Sequence, residues 1–388
     1  MHALPSVLTG LLIGLVTAAR TLRDVEALLV DAARWVGLRS CPSDSTLARV
    51  LHEVDPSALL PRVGDQVRAM HRSKQLGIDK DLGISLVAID GKVLLTGKTP
   101  FHPEAQAQGP QGDGPPYVLR VLRAMHTSSA VKPILGQRTI PAATSESVTF
   151  RPFVEDLLRE YGRTDLLECI TADAAFANAA DLRWLHESGC GFITPLKGNQ
   201  PKLLEGAHLF LGVDDETPPG GWEHVAETID PGRRVTRWFA RTRELNRWHT
   251  DWPFLRGVWR IRQKTEHAGQ ITWEDRYFLT NLPWNRLNAG QAIRAVVAHW
   301  GIENQANWTM DVCWREDSGA WVRSGSAIET VAILRILAFN FIRLMRHRVL
   351  RASTKDPLPY RRLFEMVRMA LIMPLTPDDQ APLLEPFS

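Results

Sequence analysis

Cysteine is scarce in this chain and never paired in sequence. The four residues, Cys41, Cys169, Cys190 and Cys313, stand far apart with no CxxC. That argues against a cysteine zinc site and a disulfide framework, and it fits a reducing compartment, so a cytoplasmic protein is expected. An excess of one charge is also lacking: 46 Lys and Arg against 43 Asp and Glu leave a formal +3. A membrane-spanning run is missing too. The apolar opening LPSVLTGLLIGLVTAAR is about 17 residues, short for a span. It has no basic leader and no processing site before the amphipathic TLRDVEALLVDAARWVGL, so it reads as a buried helix. A second apolar stretch, SAIETVAILRILAFNFIRLMRHRVL, holds Arg335 and Asn340 and reads as a core helix.

What is present is ordinary globular material: 44% apolar and 23% charged over 388 residues, enough for two or three structural units. The arginines are unevenly spread. They crowd 233–262 (among them Arg233, Arg234, Arg237, Arg241 and Arg243) and the C-terminal part from Arg335 to Arg362. One such run is usually a solvated face; two in one chain favour a polyanionic partner.

Residues 1–75 read as helical, with Ser43 or Asp44 starting one helix and Asp55 before Pro56 starting another. Short helices of this kind suit a DNA-binding helix-turn-helix or a packing domain equally well. At GISLVAIDGK the texture becomes a continuous apolar strand ending in Asp90. A Gly/Pro-rich loop, two strands (YVLRVLRAMH and VKPILGQRTI) and an amphipathic helix (VTFRPFVEDLLREYG) follow. The pattern then predicts a strand at 168–172, a helix at 178–188, a strand at 191–195 and a helix at 200–210. Between 212 and 285, β-branched and aromatic residues alternate with Arg, as in antiparallel strands. Helices return with NAGQAIRAVVAHWGIENQANW.

Two predicted strands end in Asp, at VAID (Asp90) and ITAD (Asp173), and a third acid, Glu303, sits among aromatic and amide residues in HWGIENQANW. A strand-end Asp alone is often a turn residue. Two held side by side repel unless they share a cation, and hard divalent ions such as Mg²⁺ prefer carboxylate oxygens. Glu316 and Asp317, in CWREDSG, are rivals for the third position. That segment reads as an exposed helix end or turn, whereas Glu303 has the enclosed, aromatic setting that would hold a ligand still.

The segments AIDGK (88–92), ITADAAF (170–176), FITPLKGNQP (192–201) and HWGIENQANWTMDVCWRED (299–317), in this order and spacing, resemble the DDE insertion-sequence transposases, in particular the ISAs-type, H-repeat-associated branch. PSDSTLARVLHEVDPSAL matches that branch as well, so the likeness covers nearly the whole chain. It implies an α/β protein: an RNase H-like mixed-sheet catalytic core (76–211 and 286–350), a β-rich insertion (212–285), an N-terminal helical domain (1–75) and a C-terminal tail (351–388). It carries over Asp90, Asp173 and Glu303 as catalytic acids and as ligands of Mg²⁺ or Mn²⁺, two ions in all, for DNA strand cleavage and strand transfer. The implied partner is DNA, both terminal inverted repeats and target, bound by a homodimer that associates with the nucleoid.

Lys197, Asn199 and Gln200 follow a strand and open a helix, where backbone N–H groups favour phosphate, although Asn199 could simply cap that helix. With Lys92, His299, Arg241 and Arg243 they are the expected DNA contacts. Three positions depart from the branch's pattern: Val297 where Arg is usual, Asn307 where His is usual, and Lys98 as the sole cation soon after DGK. These departures keep two other readings open: a decayed DNA-binding relative, and a nuclease that cuts without joining.

Overall fold

The N-terminal apolar stretch forms α1 (Leu4–Val16), which buries Val7, Leu11 and Leu15. Helix α2 (Leu22–Ala32) starts in a capping box between Thr21 and Asp24. Ser43 caps α3 (Asp44–Glu53), and Asp55, followed by Pro56, caps the short α4 (Pro56–Leu59). Helix α5 (Pro61–Arg72) ends the helical part. The computed structural model describes residues 2–107, 117–249, 251–318, 321–350 and 358–372.

A mixed sheet follows: β1 (Leu86–Gly97), β2 (Gln106–Ala107), β3 (Tyr117–His126) and β4 (Ile134–Thr139). Helix α6 (Glu146–Tyr161) leads to β5 (Cys169–Ala172), α7 (Ala179–Glu187), β6 (Gly191–Leu196) and α8 (Pro201–Leu211). Strands β4, β3 and β1 pair antiparallel, while β1, β5 and β6 run parallel. The order β4-β3-β1-β5-β6 is that of an RNase H-like sheet, as the resemblance implied. Part of the Gly/Pro-rich loop, residues 108–116, lies outside the described residues.

The β-rich segment does not stand apart as a layer of its own. Strands β7 (His224–Asp230) and β8 (Arg233–Thr242), the short α9 (Leu245–Trp248), and β9 (Gly257–His267) and β10 (Gln270–Thr280) complete it. Strand β10 pairs antiparallel with β6 from Tyr277↔Leu196 to Thr280↔Ile193, so the four strands extend the core sheet. After it come α10 (Ala289–His299), α11 (Trp308–Trp314), α12 (Ala327–Leu344) and α13 (Tyr360–Ile372). The expected tail therefore contains a helix, and Phe364 of α13 meets Trp314 edge-on. Arg351 and residues 373–388 lie outside the described residues.

One face of the sheet is covered by α6, α7 and α8, through Phe153, Leu157, Leu185 and Leu203. The opposite face takes α12 and the N-terminal helices over β1 and β3, and α10 over β5, β6 and β9. The N-terminal helices pack on this face: Leu47 and Leu51 share a core with Ile333 and Leu337. Asn340, which argued against a membrane role, pins β4 by accepting from Ile134 N–H (2.8 Å) and donating to its carbonyl (2.9 Å). Among the described residues, no helix is long and apolar enough to cross a membrane.

At the end of β3, His126 is fully buried, with Nδ1 2.9 Å from Ser129 Oγ. Burial, then the nearby His71, pushes its imidazole down to about 4. The unfolded chain, titrating near the ordinary value of about 6.5, binds the proton more readily. This contribution to stability is therefore complete above about pH 6.5 and is lost as the pH falls toward 4. Denaturant titrations at several pH values check this, and a His126→Asn variant should be less sensitive to pH across that interval.

Candidate active site

The parallel ladder between β1 and β5 ends at Ile89↔Ala172. Asp90 and Asp173 are the next residue on each strand, so they stand side by side. Asp90 does not end its strand, as the sequence suggested: β1 runs on to Gly97 because its other edge stays paired with β3. What ends at Asp90 is the parallel partner. Asp173 opens a short 3₁₀ turn, Ala174–Phe176. Its side chain is half exposed, whereas Asp90 is half-buried. Burial, then the charges of Asp173 and Glu303, pushes the Asp90 carboxyl up to about 6.

Glu303 arrives from the same face of the sheet. The helix holding it is not uniform: between α10 and α11 the chain makes a π-helical turn, Ile302–Asn307, with Trp308 N–H bonded to the Glu303 carbonyl five residues back. Ile302, Ala306 and Met310 face the core while Glu303 is exposed toward a cleft of about 550 Å³. Asp173, Lys197, Arg276, His299 and Trp300 share that cleft's wall. The enclosed setting expected for Glu303 is thus corrected: its aromatic neighbour Trp308 is itself 57% exposed. A π turn fits one extra residue into the helix, so the buried stripe of Ile302, Ala306 and Met310 runs on unbroken while Glu303 stays on the open side.

Glu316 is the larger correction. It is no exposed helix end: Arg315 adopts a left-handed conformation at φ 50° after α11, and Glu316 then points inward. Its carboxylate accepts two bonds from Arg123, at 3.0 and 3.1 Å, and both side chains are fully buried. Burial opposes its ionisation, but Arg123, Lys92 and Arg335 hold its carboxyl below the ordinary range. Arg123 lies directly across from Asp90 on β3. Its Nη1 also donates to Asn307 Oδ1 (3.2 Å), and Asn307 Nδ2 donates to Asp90 Oδ2 (3.0 Å). A chain of contacts thus runs from Glu316 to Asp90 through Arg123 and Asn307. The sequence signal for Arg123 was a charge within a mostly apolar strand, YVLRVLRAMH.

The expected DNA contacts divide. Lys92 is buried and spends its charge on Asp311, at 2.7 Å from both oxygens, with Glu316 at 3.7 Å, which removes it from any surface. Arg241 is likewise occupied: it pairs with Glu223 at 3.1 Å, donates to the carbonyls of Trp284 and Leu287, and lies over the Trp284 ring. Arg243 and Lys197 are exposed. Asn199 does not cap α8. It donates to the Ala174 carbonyl (2.8 Å) while Gln200 donates to that of Ala177 (2.9 Å), so both amides tether the turn that follows Asp173.

His299 is buried, with Nδ1 3.0 Å from Thr171 Oγ1 and Nε2 3.7 Å from Asp173 Oδ1. The second distance is longer than an ordinary hydrogen bond. The His299 ring, helped by Lys197, holds the Asp173 carboxyl below its ordinary range. Neighbouring acids are thus driven apart: Asp173 toward ionisation, Asp90 toward protonation. Among the described residues, no three His, Cys, Asp or Glu side chains are drawn close enough to grip an ion as they stand. The donors facing one another are nevertheless carboxylate oxygens, and their mutual repulsion at Asp90 is what a shared divalent cation would relieve.

The family described as "Transposase DDE domain" matches residues 81–341. An "Uncharacterized protein in dhlA 3'region" of Xanthobacter autotrophicus is 28% identical over 244 residues, covering 62% of this chain and 72% of that protein. The "H repeat-associated putative transposase YhhI" of Escherichia coli K12 is 22% identical, covering 88% of this chain and 85% of its own. A piggyBac transposase synaptic complex with hairpin DNA aligns with a TM-score of 0.46 and 12% identity over 98% of this chain and 72% of that one. With the family's defining domain spanning well over half of its length, the chain belongs to the DDE transposases.

Proposed function

We propose that this transposase cleaves DNA strands and transfers the freed 3′-OH end into target DNA at a site made by Asp90, Asp173 and Glu303. The observation that carries the reading is the meeting of the first two acids one residue past the last parallel pair, with Glu303 close enough to raise Asp90. In this reading the three carboxylates hold Mg²⁺ or Mn²⁺, which when bound would stabilise the attacking and leaving oxygens of the phosphodiester. The chain's own groups orient those acids. His299 keeps Asp173 ionised, Asn199 and Gln200 fix the turn behind it, and Asn307 holds one oxygen of Asp90. The same three acids serve cutting and joining, so no covalent protein–DNA link is needed. The substrates are the element's inverted repeats and a target duplex, brought together by a dimer on DNA.

Joining of pre-cut ends tests the whole reading: cleavage without joined product would mark a nuclease, and binding alone a decayed relative. Glu303→Gln should abolish cleavage and leave the melting temperature and DNA affinity unchanged. Glu316→Gln should act differently, because it leaves Arg123 buried with part of its countercharge gone; breaking such pairs costs about 3–5 kcal/mol. A fall in melting temperature is its expected signature. An active Glu303→Gln enzyme would refute the site.

The metal requirement is separately testable. Oxygen donors predict cleavage with Mg²⁺ or Mn²⁺ and little turnover with Ca²⁺. Cleavage that persists in excess EDTA would rule out a divalent-ion site.

A further inference from the structure

Beside the carboxylate cleft, and sharing Arg276 and Trp300 with it, lies a wider groove of about 790 Å³ between strands β7–β10 and the α10–π-turn segment. Arg233, Arg237, Arg276, Arg294 and Lys132 line it against a single carboxylate, Glu227, which faces Arg234 at 3.5 Å. These cations come from four separate pieces of chain: β8, β10, α10 and the turn between β3 and β4. Such convergence is repulsive unless an anion is expected. The charges that bear on Arg237 are those of Arg233 and Arg276, both of its own sign, and they add to burial in lowering its proton affinity. Its nearest partner is a neutral amide, Gln263 Oε1, at 2.8 Å. Lys132 is held at φ 51°, a left-handed conformation unusual for a residue with a Cβ. Arg276 lies over Trp300 at 4.2 Å, on the wall common to both cavities, and its guanidinium pairs with Glu274 through two bonds of 2.5 and 2.6 Å.

We infer that this groove is the track for the DNA backbone next to the scissile phosphate, with Arg233 and Arg237 neutralising its phosphates. The inference rests on reading the adjoining cleft as the cleavage site. It moves the backbone contact away from Arg241, whose charge is already used, to arginines that the fold leaves with like-charged neighbours. An open groove with cations spaced along it, and one acid already turned to another arginine, suits an extended polyanion better than a single bound phosphate.

The test uses the full chain in EDTA, so that binding is measured without cleavage. Anisotropy of two labelled duplexes of unrelated sequence is followed from about 50 to 200 mM salt. The Arg233→Ala/Arg237→Ala protein should bind both duplexes more weakly to the same degree. Its plot of log affinity against log salt should be shallower by about two, near 0.9 for each phosphate no longer neutralised. Arg237→Lys should recover most of the slope, which damage to β8 would not allow. An unaltered slope in the double variant overturns the groove, and a dead Glu303→Gln enzyme beside it would still leave the cleavage reading standing. A flattened slope together with an active Glu303→Gln enzyme would do the reverse.

Discussion

Behind Asp90, a guanidinium and a carboxylate that have both lost water face each other, and much of the molecule is arranged around them. Arg123 belongs to the strand paired with β1, and Glu316 to the turn that ends α11. Removing two charges from water costs several kcal/mol each, so the pair is tolerable only if its geometry is held. Folded domains are stable by about 5–15 kcal/mol, so this single contact weighs heavily. It fixes the far end of the segment carrying Glu303 against the sheet carrying Asp90. The ladder from β5 fixes Asp173 relative to the same strand. Three acids distant in sequence thereby become neighbours through one buried attraction and one run of parallel pairing.

Much of the fold was legible because local rules and tertiary packing agree. The strand–helix alternation between 168 and 211, the caps at Ser43 and Asp55, and the core nature of the Asn340 helix all follow from periodicity and end signals. What was not legible depends on partners far along the chain. Strand β1 looked finished at Asp90 because the apolar run stops there, yet β3 continues to pair with it. Glu316 looked exposed because REDSG is polar, and nothing local announces that Arg123 waits across the core.

The site residues show the same division. The acids could be named from strand ends and motif likeness, but the roles of their neighbours could not. A lysine two residues after Asp90 looks like a phosphate contact until α11, lying over the same face of β1, is seen to bring Asp311 to it. Asn199 and Gln200 look like a ligand-binding helix start until their amides are seen to hold the turn after Asp173. The arginines between 233 and 262 form no single class either. Arg260 is fully buried, with Asp275 2.7 Å away, and Arg262 packs over Trp273. Arg233 and Arg234 remain exposed. Composition gave the number of cations; only the sheet register sorted them.

The π turn at Ile302–Asn307 has a consequence for how this chain can change over generations. A π turn fits one residue more than an α turn into about the same rotation, so deleting one residue here would leave an ordinary α turn with the segments on either side still in phase. Met310 and Trp314 would keep their places in the core, and Glu316 would still meet Arg123. Such a deletion would be silent in the packing and felt only where the turn presents Glu303 to the cleft. The extra residue serves the cleft, not the core.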